Sequence, residues 1–303
     1  MKNCPLLQRA HGWDCITENS VIIRGIHRFH PERPTIHFLP GTGFCGLMYW
    51  PYLRHFTSRY GIFTQDYQGH GDSDNGEEFA GWDGNLRRCK EVIEKQLANE
   101  NHLPLIGMGH SYGGVMTALL AADHPEWFSA LVLLDPILLP EEWIKGNDGS
   151  PSPMTLSTLR RRTQWASKTE AEAYFSSKPT FKNWHPDALC SLVDHLLEAH
   201  PDGRRTLKCP PEMEAPIYSD PLTTLWDALR RLRVPTVIVY GDRTIPTIPP
   251  GAQKAAAENP MIQCARIRGS HNFMQEEPEM TYELVQSLIN SVLVDAHAAG
   301  LTA

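Results

Sequence analysis

The stretch Leu105-Ile106-Gly107-Met108-Gly109-His110-Ser111-Tyr112-Gly113-Gly114 constrains this chain more than any other. A short apolar run ends in Gly-His-Ser-Tyr-Gly and passes at once into a helical pattern, the G-x-S-x-G form of a nucleophile elbow. A serine at the tip of so tight a strand-to-helix turn needs a strained backbone. Its neighbours two residues away come so close that they must lack side chains. Gly109 and Gly113 meet that demand. The hydroxyl then stands at the positive end of the following helix, which makes Ser111 a candidate nucleophile.

Around this turn, strand and helix patterns alternate. Residues 21–23, 35–39, 62–66, 129–134, 234–241 and 262–267 read as strands. Residues 48–56, 82–97, 115–123, 252–258 and 282–293 carry apolar residues at helical spacing. Pro31 and Pro34 close off a mixed first segment. The uninterrupted apolar run at 129–134 suits a parallel strand covered on both faces. Such alternation predicts a doubly wound α/β sheet. It breaks between residues 137 and 232, where helical segments, loops and charges replace strands and a helical segment at 222–232 leads back. The expected organisation is therefore a core of 1–136 and 233–303 with a mainly helical cap, or lid, at 137–232. Trp143, Trp165, Tyr174, Phe175, Phe181 and Trp184 lie in that insertion, with Trp143 a candidate for lining an apolar acyl pocket.

Composition narrows the function classes. The chain has 303 residues, 41% hydrophobic and 21% charged, as in an ordinary globular protein with room for a large core. A formal charge of -7 argues against nucleic acid, whose phosphates call for a basic face. No apolar run reaches the roughly 18 to 20 residues of a membrane span, and the first seven residues lack a continuous signal-like apolar core. The seven cysteines (Cys4, Cys15, Cys45, Cys89, Cys190, Cys209 and Cys264) are odd in number and form no C-x-x-C pair, which points to reduced thiols and a cytoplasmic setting. His27 and His30 are three apart, but no third ligand is evident, so no metal site is expected.

Several further motifs occur in a telling order. Phe38-Leu39-Pro40-Gly41-Thr42-Gly43 comes first, then Asp66-Tyr67-Gln68-Gly69-His70-Gly71-Asp72-Ser73, then the elbow, then Gly269-Ser270-His271-Asn272-Phe273. In this order the chain resembles the α/β-hydrolase superfamily, in its serine-nucleophile branch with a lid, from about Thr35 to the final helix. The resemblance implies the α/β-hydrolase fold, with the cap inserted after the sixth core strand. Leu207-Lys208-Cys209-Pro210-Pro211-Glu212-Met213-Glu214-Ala215, in the insertion, is similar to a motif of a branch of bacterial and fungal hydrolases. Two departures stand out. Pro40 replaces the histidine of the family's His-Gly loop. Thr244 occupies the place, three residues after Gly241, where the family commonly has its aspartate.

An acyl-transfer site needs a nucleophile, a base, an orienting acid and an oxyanion hole. Ser111 and His271 fill the first two roles. For the acid, Asp135 at the end of the strand after the elbow is the first choice and Asp242 the alternative. The backbone N–H groups of Tyr112 and Thr42 are expected to form the oxyanion hole. His70, Asp72 and Ser73 read as a turn whose polar groups bond one another, and His110 as a packing residue. The resulting expectation is a serine hydrolase acting on a carboxylic ester or related acyl bond of a small-molecule substrate, without metal or organic cofactor. A carbon–carbon bond hydrolase of diketone-like substrates and a non-catalytic ligand-binding protein on the same fold are the alternatives.

Overall fold

A computed structural model of the chain describes residues 10–30, 32–77, 79–98, 102–146, 150–219 and 222–298. Cys4, Pro31 and the N-terminal segment considered above lie outside them. Among the described residues there are eleven strands: β1 (His11–Ile16), β2 (Ile22–Arg28), β3 (Thr35–Leu39), β4 (Gly61–Gln65), β5 (Leu105–His110), β6 (Phe128–Leu134), β7 (Gln164–Trp165), β8 (Leu197–Ala199), β9 (Arg205–Leu207), β10 (Thr236–Gly241) and β11 (Ile262–Ile267). Eight of them form one sheet in the order β1-β2-β4-β3-β5-β6-β10-β11. β2 runs antiparallel to β1 and β4, and every other pairing in this sheet is parallel.

The central strands explain their own apolar runs. β3, β4 and β5 are buried at every position, because helices cover both faces of the sheet. Successive residues of a strand point to opposite faces, and β6 divides accordingly. Leu131 and Leu133 enter one core with Val92, Val115 and Leu119. Ala130, Val132 and Leu134 enter the other with Ile36, Tyr52 and Val285. The first core lies under the helices Gly81–Ile93, Tyr112–Asp123 and Ile248–Glu258, the second under the long helix Pro278–Ala298.

Two elements differ from the sequence reading. β1 was not expected; it zips onto β2 from His11 opposite His27 to Ile16 opposite Ile22. Its Trp13 stacks on Phe63 at 4.7 Å and donates its indole N–H to the Thr64 carbonyl at 3.2 Å. Residues 137–232 were expected to be mainly helical, and among their described residues a small antiparallel sheet of β7, β9 and β8 accompanies the helices. Trp165, Phe175 and Trp184 of this insertion are buried in the second core, whereas Trp143 stands 61% exposed on the helix Glu141–Lys145. Trp143 is thus a surface residue rather than part of a packed apolar wall. The helix Leu225–Arg231 packs on Tyr112–Asp123 and sends Leu225, Trp226 and Leu229 into the first core. No helix among the described residues is long and apolar enough to cross a membrane.

Candidate active site

β5 ends at His110 and the helix Tyr112–Asp123 starts two residues later, leaving Ser111 alone to make the turn. Its backbone sits at φ 57 and ψ -118, a conformation few L-residues adopt. A Cβ at Gly109 would come within 2.2 Å of the Gly113 carbonyl oxygen, and one at Gly113 within 2.1 Å of that of Leu39. Both glycines are therefore obligatory, and the second lets the helix start press against the loop after β3. The next parallel strand repeats the device: Asp135, just past β6, lies at φ 47. The two side chains thus leave the carboxyl ends of neighbouring strands, where open α/β sheets bind ligands.

His271 arrives from the loop after β11 and meets both. Its Nε2 is 3.0 Å from Ser111 Oγ, and its Nδ1 is 2.6 Å from Asp135 Oδ2. Asp135 is wholly buried. Its Oδ1 accepts the Gly241 N–H at 2.9 Å, and its Oδ2 also accepts the Thr244 hydroxyl. A buried carboxylate needs such donors in place of water. Asp242 does not reach the imidazole. Its Oδ1 accepts the Gly269 N–H at 2.9 Å, which holds its carboxyl below the usual range with help from Arg243 and Arg266. It ties the ends of β10 and β11 together. Thr244, at the place where the family commonly has its aspartate, supplies a donor to the carboxylate that stands just past β6.

The loop Pro40–Phe44 closes on itself through the Phe44 N–H and the Gly41 carbonyl at 3.1 Å. With Gly43 at φ 75, this is a type II turn with Thr42 at its second position. A Cβ at Gly41 would stand 3.4 Å from Ser111 Cβ, so the turn lies directly against the serine. Tyr112, opposite, opens the elbow helix. The serine, the imidazole, the buried carboxylate and two candidate backbone donor positions thus converge. This arrangement can pass a proton from hydroxyl to imidazole and place N–H groups beside the serine oxygen.

The neighbouring motifs support these loops. Asp66 Oδ1 accepts the Gly46 N–H at 2.7 Å, and burial pushes its carboxyl up to about 7. His70 bonds the Gln68 carbonyl at 2.9 Å, Ser73 accepts from the Arg24 N–H at 2.9 Å, and Asp72 pairs with Lys208 at 2.6 Å. These polar groups therefore also reach outward to β2 and the insertion, beyond the closed turn expected from the sequence. From the insertion, Glu214 is seated on Gly43, where a Cβ would come within 2.7 Å of its carboxyl carbon. Glu214 is 1% exposed, pairs with Arg161 through both oxygens and accepts the Tyr218 hydroxyl at 2.9 Å. Burial opposes the charge of Arg161, but Glu214 outweighs it and raises the guanidinium pKa. His27 lies 5.8 Å from His11, ring to ring, and the His30 ring accepts the Glu32 N–H at 3.4 Å. Among the described residues no group of three or more His, Cys, Asp or Glu side chains could hold a metal ion.

Comparison with known proteins agrees with this architecture. The family model described as "Alpha/beta hydrolase family" matches residues 38–284, most of the chain. The chain belongs to the alpha/beta hydrolase family. Among the chain's curated relatives, the abhydrolase domain-containing protein ACTT2 of Alternaria alternata is 36% identical over 96 residues, 32% of this chain and 34% of that protein. The match therefore spans about a third of the relative's length. Lipase LipV of Mycobacterium tuberculosis is 28% identical over 185 residues, 59% of this chain and 64% of the lipase. The solved thioesterase domain from the curacin biosynthetic pathway superimposes with a TM-score of 0.75 at 17% identity, over 91% of this chain and 99% of that domain. At that identity the likeness establishes the α/β-hydrolase fold.

Proposed function

We propose that this protein is a serine hydrolase that cleaves a carboxylic ester or related acyl bond of a small-molecule substrate through an acyl-enzyme on Ser111. One observation carries the reading: a single imidazole, His271, bonds the elbow serine at 3.0 Å and a buried carboxylate at 2.6 Å. Ser111 Oγ attacks the substrate carbonyl while its proton passes to His271 Nε2. Asp135 holds the Nδ1–H tautomer and stabilises the imidazolium. The Tyr112 and Thr42 N–H groups take the negative charge that develops on the carbonyl oxygen. The carbonyl–oxygen bond to the leaving group then breaks, and the departing alcohol takes the proton from Nε2. Water attacks the acyl-enzyme as His271 removes its proton. The proton returns to Ser111 as the acid leaves.

The insertion at 137–232 acts as the cap that shapes the acyl pocket, a role supported by the seat of Glu214 on the turn beside Thr42. LipV is named a lipase and the curacin domain a thioesterase. Both names fit acyl transfer, and neither supplies the substrate. The test is labelling with a fluorophosphonate probe. The wild-type chain should be labelled once, on Ser111, and Ser111→Ala should not react. An unlabelled wild type, or labelling that survives in Ser111→Ala, would overturn the proposal. A panel of p-nitrophenyl esters of increasing acyl length then reads the pocket.

A further inference from the structure

Beneath the site runs a buried chain of hydrogen bonds that the mechanism above does not use. The Gly41 N–H, in the turn before Thr42, donates to Tyr49 Oη at 3.2 Å. Tyr49 Oη lies 2.7 Å from His110 Nδ1, and His110 Nε2 lies 2.8 Å from the His271 main-chain carbonyl oxygen. Tyr49 is fully buried and His110 nearly so, at 1% exposure. The hydrogens can be assigned one by one. A carbonyl oxygen only accepts, so His110 Nε2 carries a hydrogen. Burial, and then the neighbouring His271, hold the His110 pKa well below the usual histidine range, so its ring is neutral and its Nδ1 is bare. That nitrogen accepts the single Tyr49 hydroxyl proton, and the Tyr49 oxygen keeps a lone pair for the Gly41 N–H.

Resting on the serine-hydrolase reading, we propose that Tyr49 and His110 are positioning residues that lock the oxyanion turn and the backbone of the base to the residue before the nucleophile. The imidazole of His271 is then held from both ends. Asp135 and Ser111 grip its ring, and His110 grips its main chain. The same two side chains set the Gly41 peptide that leads into Thr42. Registration of this kind matters because a displacement of about 1 Å in a reacting group can lower a rate by about 100-fold.

Tyr49→Phe tests the proposal, since it keeps the ring and its packing against Phe38, 4.7 Å away, and deletes only the hydroxyl. Both kcat for p-nitrophenyl ester hydrolysis and the rate of fluorophosphonate labelling should fall about 10- to 100-fold. KM should move less than about two-fold, because the contact acts on the reacting geometry rather than on ground-state binding. The 15N shifts of the His110 ring give a readout free of turnover: Nε2 protonated and Nδ1 bare, in the wild type and in Ser111→Ala alike. A folded Tyr49→Phe protein with wild-type kcat and labelling rate, or a His110 protonated at Nδ1, would overturn the proposal. If the wild type takes no label, the serine-hydrolase reading fails, and the proposal, which rests on it, fails as well.

Discussion

At the scale of single residues, the sequence left two candidates for the acid, and they sit in different surroundings. Asp135 is buried and accepts hydrogens from His271, Gly241 and Thr244, whereas the Asp242 carboxylate accepts the Gly269 N–H. Asp135→Asn should therefore present the wrong hydrogen-bonding group to Nδ1 and lower kcat by about 10,000-fold. Asp242→Asn should leave kcat within about three-fold of wild type, since it disturbs only a strand-end tie. Steady-state hydrolysis of one p-nitrophenyl ester by the two variants decides, and the reverse ranking would contradict the assignment. Ser111 and His271 stand in motifs that the sequence displays, whereas Asp135 was legible only as one of two candidate acids near strand ends. Thr244 and Tyr49 were not. Each matters through the partner it meets, and a hydroxyl gives no hint in sequence of where its proton points.

At the scale of elements, buried parallel strands were the most readable parts of the chain and short strands the least. β3 was expected at 35–39, and it is fully buried. β1 offers only Trp13 and Cys15 to the core, with exposed Asp14 between them, too short an alternation to mark a strand before its pairing with β2 is seen. β7, β8 and β9 are two or three residues long, too short to show a period. The interior of β3 also holds His37, fully buried, whose pKa burial lowers from 6.5 to about 4 against a weak contact with Gln65 at 3.4 Å. A folded pKa below the unfolded one means that the native state binds fewer protons. The stability from this group is complete above pH 6.5 and is lost as pH falls towards 4. Between pH 7 and pH 4 the wild type should lose about 3 kcal/mol more unfolding free energy than His37→Gln. Urea denaturation of both proteins at the two pH values checks this, and parallel losses would refute it.

At the scale of the whole molecule, the fold brings together side chains that are far apart in the chain: His271 is 160 positions from Ser111 and 136 from Asp135. The ordered motifs made this convergence readable, since each marks the loop after a core strand and parallel strands bring those loops to one edge. Which insertion residues meet the site was not readable. Glu214 sits in Pro-Pro-Glu-Met-Glu, and only the packing of residues 211–218 over the turn at Gly43 brings it there. The central claim is that Ser111 and His271 work as one unit across that edge. Residues that act as a unit lose their effect together, so removing a second member costs little more than removing the first. The most direct measurement is kcat for a p-nitrophenyl ester in Ser111→Ala, His271→Ala and the double variant. All three should fall to a common floor, about a million-fold below wild type. Single losses that multiply in the double variant would contradict the claim.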